Sequence, residues 1–316
     1  MFSCYPVIEC WGHRGASVSF PENTIASFEA AIRDGVDGIE SDVHVSKDNV
    51  IIMFHDPTLE RTTSFTGIIK DSNWYGADGM ECARTKKEPK QSIPTFVETV
   101  ELLMKPENRH IHLNVDVKAQ NDPQQLFSLM HTIIASHPQW EIRLAPRILL
   151  GIWHPRFLQP AKELLPYCRR SSISFSLSIT KTYLWDDVEC VSVWYNALMG
   201  WEGQRFRDDV RRSGKKLMVF TVNEPHHLME MVRWDVDGIV TDNPNRLLEL
   251  KSALEGRYHG YVHVRDLCLT GPKQTTTQQR PDTADFSFIQ PQPFIGRLRT
   301  GYRSSQNTSW SGGVVH

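Results

Sequence analysis

Along this chain, short runs of apolar and β-branched residues alternate with longer stretches in which apolar positions recur every three or four residues. The first pattern reads as buried strands and the second as amphipathic helices. Runs at Val7–Trp11, Gly38–Asp42, His112–Lys118, Ile148–Trp153, Ser172–Leu177, Val191–Tyr195, Leu217–Val222 and Gly238–Thr241 supply eight strands. Eight strands with helices between them predict a (β/α)8 TIM barrel of the α/β class. One run, Val50–Phe54, is left over, and it follows Asp42–Val45 across the Lys47-Asp48-Asn49 turn. That connection is too short for a parallel crossover, so the run is expected to be a hairpin arm that returns His55 and Asp56 to the same end of the barrel. Residues Thr58 to Pro94 then form an excursion before a helix at Phe96–Met104 resumes the barrel. In the first βα unit, Asn23 or Thr24 is placed to cap a helix running to about Asp34, with Pro21 ahead of it and Gly35 closing it.

The pattern fades near Tyr258 to Gly260, and the remainder holds polar or Pro- and Gly-rich segments such as Thr275-Thr276-Thr277-Gln278-Gln279 and Pro291-Gln292-Pro293. Residues 1–258 are therefore read as the barrel and 259–316 as a mostly disordered polar tail. Composition adds exclusions. With 35 Lys and Arg against 37 Asp and Glu, the 316-residue chain carries a formal charge of −2, which is no electrostatic footprint for nucleic acid. Its apolar runs fall far short of the ~20 residues of a membrane-spanning helix, and Met1 to Trp11 lacks the basic start of a signal peptide. The expectation is an intracellular protein, cytosolic or peripherally membrane-associated, in which the Asn307-Thr308-Ser309 sequon is idle. Six cysteines without CxxC spacing point to reduced thiols and away from a zinc site.

In this register the unusual polar residues gather at the C-terminal ends of strands, where barrel enzymes build their sites. His13 and Arg14 end the first strand, Glu40 and Asp42 share one face of the second, Asp116 and Lys118 repeat that spacing on the third, and the hairpin delivers His55. Three carboxylates without cysteine suit a hard cation, Mg²⁺ or Ca²⁺. Such a cation beside Arg14 and Lys118 would hold a phosphate, and two histidines could then serve as base and acid near neutral pH. These residues together suggest metal-assisted hydrolysis of a phosphate ester. Each has a plainer reading as well. A His-Arg or His-Asp pair is more often a surface or capping feature, a buried carboxylate pair is equally a structural ion-pair partner, and Asp56, before Pro57, fits an Asx turn.

The segments Trp11-Gly12-His13-Arg14-Gly15-Ala16, Pro21-Glu22-Asn23-Thr24, Glu40-Ser41-Asp42-Val43, Phe54-His55-Asp56, Leu59-Glu60-Arg61-Thr62-Thr63, Asp116-Val117-Lys118, Thr221-Val222-Asn223 and Asp237-Gly238-Ile239-Val240-Thr241-Asp242-Asn243-Pro244 resemble the glycerophosphodiester phosphodiesterase family. The resemblance spans roughly residues 7 to 250 in consistent order. It implies a TIM barrel that cleaves glycerophosphodiesters to a glycerol phosphate and an alcohol with a divalent metal. On the matching positions it implies His13 and His55 as the acid/base pair, Arg14 and Lys118 as phosphate contacts, and Glu40, Asp42 and Asp116 as metal ligands. Two positions depart from the family pattern. Asp116 stands where Glu is common, and Phe220 stands where a tryptophan usually precedes the Thr-Val-Asn motif. Phe220 and Asn223 are expected to contact substrate.

The middle of the chain, Leu150-Gly151-Ile152-Trp153, Ile173-Ser174-Phe175-Ser176-Leu177-Ser178 and Val191-Ser192-Val193-Trp194, is most similar to the fungal phosphatidylglycerol phospholipase C branch of that family. That similarity implies a phospholipase C releasing diacylglycerol and glycerol phosphate, with Trp74, Tyr75, Trp153, Trp185 and Trp201 available for peripheral membrane contact or for core packing. Three alternatives stay open: an enzyme of soluble diesters such as glycerophosphocholine, a barrel that binds phospholipid head groups without turnover, and sphingomyelinase-D-like chemistry, which fits the motifs less well. His44, His154 and Asn223 are further candidates, His44 more as a hairpin residue than as a site residue.

Overall fold

Short strands that are apolar on both faces need cover on both sides, and here they obtain it by closing on themselves. The computed structural model describes residues 8–254. Its eight barrel strands are β1 (Glu9–His13), β2 (Gly38–Val45), β4 (His112–Val117), β5 (Ile148–Ile152), β6 (Arg169–Ser174), β7 (Cys190–Trp194), β8 (Lys216–Phe220) and β9 (Gly238–Thr241). Neighbours pair in parallel in that order, and β9 pairs back onto β1 to close the barrel. The left-over run forms β3 (Ile51–Met53), antiparallel to β2 with His44 opposite Ile52, as the short connection required. The reading of residues 259–316 as a tail, the start of the first strand at Val7, the sequon at Asn307, and Cys4 and Cys268 lie outside the described residues.

The barrel interior is filled by Trp11, Leu149, Cys190, Met218 and Val240. Trp11 fits because Gly38 faces it: a Cβ there would stand 2.4 Å from the indole. Helices cover the outer face of the strands. The first, α1 (Ile25–Asp34), is capped by Thr24, whose hydroxyl accepts from the Ser27 amide while the Ser27 hydroxyl accepts from the Thr24 amide, both at 3.2 Å. Gly35 ends it in the left-handed region at φ 98°. Since Thr24 is the cap, Asn23 is free for another purpose. The second helix, α2 (Phe96–Met104), begins where the sequence placed it.

The excursion after β3 has its own apolar core of Ile52, Phe54, Leu59, Ile69, Trp74 and Met80. Of the five tryptophan and tyrosine side chains considered for interfacial contact or core packing, Trp74 is thus buried in a core, Trp153 and Trp185 are half-buried, and Tyr75 and Trp201 are exposed. Lys87 pins this subdomain to the barrel mouth by donating to the carbonyls of Ser17, Val18 and Phe20 at 2.7–3.0 Å. The fifth barrel strand starts at Arg169, three residues before the apolar run suggests, and ends at Ser174. There the Ser174 hydroxyl donates to the Ser176 carbonyl and turns the chain out of the sheet, which leaves Phe175 at the rim. No helix among the described residues is long and apolar enough to cross a membrane.

Candidate active site

Strand register sets the centre of the site. Asp42 on β2 stands opposite Asp116 on β4, Glu40 opposite Asn114, and His13 at the end of β1 opposite Glu40. Residues two apart on a strand share a face, so the three carboxylates point into the same cavity of about 240 Å³ at the C-terminal mouth. One oxygen from each of Glu40, Asp42 and Asp116 lies within 4.8 Å of the others, and all three residues are buried. Burial, and next the charge of Asp42, push the Glu40 carboxyl well above the usual carboxylate range. Burial acts on Asp42 as well, but the Lys118 ammonium and the Arg14 guanidinium outweigh it and hold Asp42 ionised far below that range.

The cations are fixed by these acids. Lys118 Nζ lies 2.6 Å from Asp42 Oδ1 and donates to Asp116 Oδ2 at 2.9 Å. Arg14, with a left-handed φ of 56°, reaches Glu22 Oε1 at 2.8 Å and Asp42 Oδ2 at 3.5 Å. Its backbone amide donates to the Glu40 carbonyl at 2.8 Å and to Glu40 Oε2 at 3.1 Å. Gly15 follows at φ 83°, packed so tightly on α1 that a Cβ would stand 2.5 Å from the Ser27 hydroxyl.

Both histidines line the cavity, and each has a carboxylate on Nδ1. His13 Nδ1 is 2.6 Å from Asp242 Oδ1, while its Nε2 is 3.8 Å from Glu40. His55 Nδ1 is 2.7 Å from Asp56 Oδ1. Their environments differ. Burial disfavours the charged form of His13, but the Asp242 hydrogen bond and the Glu40 charge prevail and raise its affinity for a proton. For His55, burial together with the Lys118 and Arg14 charges prevails over Asp42 and Asp56 and lowers that affinity. Two histidines with opposite tendencies in one cavity are suited to opposite halves of a proton exchange.

The chain links the two histidine loops through residues to which sequence reasoning gave no role in the site. Arg61 pairs with Asp56 and donates to Glu22 Oε1 and Oε2 at 2.6 and 3.0 Å, so Glu22 joins Arg14 to the Asp56–His55 pair. Asp56 orients His55 and is not merely a turn residue. Asn23 donates to Asp42 Oδ2 at 2.8 Å, and the Ser41 hydroxyl donates to its Oδ1 at 2.6 Å. Trp153 Nε1 donates to Asp116 Oδ1 at 2.7 Å. Asp242, 229 residues from His13, is brought to it by the β1–β9 closure. Among these, Glu22, Asn23 and Asp242 sit inside short polar motifs, the one signal that could have flagged them.

The opposite half of the cavity is apolar, with Trp153, Phe175, Trp194 and Phe220 along it. Phe220 therefore lies where a substrate contact would be. Asn223 does not line the cavity: its Nδ2 donates to Asp242 Oδ2 at 2.6 Å, and its Oδ1 accepts from Thr241 Oγ1 and the Asp242 amide. His44 is a buried hairpin residue whose Nε2 meets the His55 carbonyl at 3.1 Å, and burial pushes its imidazole down to about 4. His154 accepts from the Arg156 amide and caps a short turn.

The donor set fits a hard divalent cation. It is all oxygen, its three acids are buried close together against two cations, and Asn114 Oδ1, buried in the cavity lining, has no hydrogen-bond partner. The described cysteines, Cys10, Cys82, Cys168 and Cys190, are free thiols away from the cavity lining.

The chain is similar to known proteins in sequence and in fold. The pattern of the glycerophosphoryl diester phosphodiesterase family matches residues 13–246. The chain is 25% identical over 248 residues to a glycerophosphodiester phosphodiesterase of Caldanaerobacter subterraneus, covering 75% of this chain and 95% of that one. It is 24% identical over 247 residues to a glycerophosphodiester phosphodiesterase of Bacillus altitudinis, covering 78% and 98%. In fold it resembles an Oleispira antarctica phosphodiesterase solved with the product sn-glycerol-3-phosphate, with a TM-score of 0.64 at 22% identity over 78% of this chain and 96% of that chain. A glycerophosphodiester phosphodiesterase of Parabacteroides distasonis gives 0.66 at 21% identity, over 79% and 99%. This chain belongs to the glycerophosphoryl diester phosphodiesterase family, a family of phosphoric diester hydrolases.

Proposed function

We propose that this protein is a metal-dependent glycerophosphodiester phosphodiesterase that acts on glycerophospholipids, with phosphatidylglycerol as substrate and diacylglycerol and glycerol phosphate as products. One observation carries the hydrolase half of this reading: two histidines, each with a carboxylate on Nδ1, share a cavity with three clustered carboxylates, an arginine and a lysine. The lipid half is supported by the apolar side of the same cavity and by the similarity of the middle of the chain to the phosphatidylglycerol phospholipase C branch.

Glu40, Asp42 and Asp116 would hold the divalent cation, Mg²⁺ or Ca²⁺, which when bound neutralises phosphate charge as a Lewis acid. Arg14 and Lys118 orient the phosphodiester in the charged half of the cavity. One of His13 and His55 takes the proton of the glycerol hydroxyl next to the phosphate, and that oxygen bonds to phosphorus. The other gives a proton to the departing alcohol as its P–O bond breaks. Water then opens the cyclic phosphate with the proton roles reversed, leaving glycerol phosphate. Asp242 and Asp56 hold each imidazole in one tautomer and orientation. Asn223 supports Asp242 from behind.

The test is phosphodiester hydrolysis by the purified full chain, with phosphatidylglycerol in mixed micelles and glycerophosphocholine in parallel, each with Mg²⁺, Ca²⁺ or EDTA. Diacylglycerol release that EDTA abolishes is the expected result. Cleavage of glycerophosphocholine alone overturns the lipid substrate and keeps the chemistry, and silence on both overturns turnover in favour of head-group binding.

A further inference from the structure

Resting on the phosphodiesterase reading, though not on phosphatidylglycerol as the substrate, we propose that the aromatic half of the cavity is a subsite for an apolar substituent on the leaving alcohol. Phe175 and Trp194 are its specificity-determining residues. The phosphate belongs to the charged half, with Arg14 and Lys118, so the aromatic half is left for the uncharged parts of the substrate.

Phe175 is the hub of that half. Its ring centroid lies 5.2 Å from Trp153, 5.7 Å from Trp194 and 5.7 Å from Phe220, and Trp153 lies 6.0 Å from Phe220. Three of these four contacts are edge-to-face, at 70–76°. Rings packed this way cover one another and form a continuous apolar surface; a cage for a quaternary ammonium needs faces turned toward an open centre. The surface also opens outward. Phe175 is 60% exposed, and Trp194 is the one exposed residue of an otherwise buried strand.

The apolar exposure continues in the segments that follow β6 and β7. Of the eleven large apolar side chains exposed in the described residues, six fall between 175 and 201: Phe175, Ile179, Tyr183, Trp194, Met199 and Trp201. Phe175, Ile179 and Tyr183 follow β6, Trp194 ends β7, and Met199 and Trp201 follow it, at the end of the barrel where the cavity opens. Uncovered apolar surface concentrated beside a catalytic cavity marks a binding surface, and because Phe175 and Trp194 both line the cavity and are exposed, they commit it to a substituent that leaves the phosphate and runs outward.

A series of water-soluble glycerophosphodiesters whose leaving alcohol lengthens from methanol to octanol, assayed on the full chain below micelle-forming concentrations, tests this. kcat/KM is expected to rise by about fourfold for each methylene the subsite buries, and the octyl-to-methyl ratio is expected to collapse toward one in the double variant F175S/W194S. A flat series in the wild type overturns the proposal. So does a variant that loses both ends of the series equally, because a merely structural role leaves the ratio intact. Binding separates this inference from the phosphodiesterase reading: by tryptophan fluorescence, octyl phosphate should bind the wild type at least about tenfold more tightly than methyl phosphate, and the double variant should not discriminate. Equal affinities in the wild type overturn the subsite whether or not the protein turns over diesters; discrimination without turnover overturns the enzyme reading and keeps the subsite.

Discussion

The two halves of the cavity are built by different rules. The charged half comes from β1, β2, β4 and the hairpin, and its ionisable side chains are held by polar partners: Asp116 by Lys118 and Trp153, Asp42 by Lys118, Arg14 and Asn23, and each histidine by a carboxylate. The aromatic half comes from residues at or just beyond the ends of β5, β6, β7 and β8, and it is held by ring contacts with Phe175 and Trp194 still exposed. Charged groups in a buried site tolerate little freedom, because an unpaired partner costs several kcal/mol. Apolar contact is non-directional, so the aromatic half can accept varied substituents. The difference predicts a site strict about the phosphate and permissive about what the phosphate carries.

Perturbing the two halves separately sharpens this contrast. The largest effect should come from EDTA, which is expected to take hydrolysis to background for every diester alike, with activity returning on titration of Mg²⁺ or Ca²⁺. His13→Ala and His55→Ala should each lower kcat on the order of 10²- to 10⁴-fold while circular dichroism stays unchanged; near-normal turnover in both would remove the acid/base assignment. Asp242→Asn keeps the size of the side chain and removes its charge from His13 Nδ1. By analogy with partners that orient functional histidines, about a 10- to 100-fold loss is expected, read from kcat on a soluble diester. The smallest effect probes the seam between the halves. Trp153→Phe keeps a ring against Phe175 but deletes the donor to Asp116 Oδ1, and a lost hydrogen bond to a charged group should raise the cation concentration for a half-maximal thermal shift by roughly tenfold.

Much of the charged half was legible in the sequence. Strands announce themselves by local apolar runs, and polar residues at their C-terminal ends stand out because the interior of a strand seldom tolerates them. That is how His13, Glu40, Asp42, Asp116, Lys118 and the hairpin-borne His55 could be named. Their supports were less visible. Asp242 is separated from His13 by most of the chain, and Asn23 seemed to be one of two equivalent caps until Thr24 took that place. Asn223 looked like a substrate contact by motif, yet its amide is engaged by Asp242 and Thr241.

The aromatic side chains were the least legible, because nothing local distinguishes a tryptophan in a core from one on a rim. Trp74 is buried in the core of the excursion, and Trp153, which also seemed available for interfacial contact, turns into the cavity and bonds Asp116. Phe175 lies in an apolar run that reads as strand, yet the backbone leaves the sheet one residue earlier. By itself, then, the sequence determined what short-range physics fixes: the period of the strands and helices, the hairpin imposed by a connection too short to cross over, the cap region of the first helix, and the chemical types gathered at one end of a barrel. The tertiary structure alone decided which carboxylate backs which histidine, which residue carries which cation, and which aromatic rings meet solvent. Those are pairings across barrel closure and across loops, and no local pattern encodes a partner two hundred residues away.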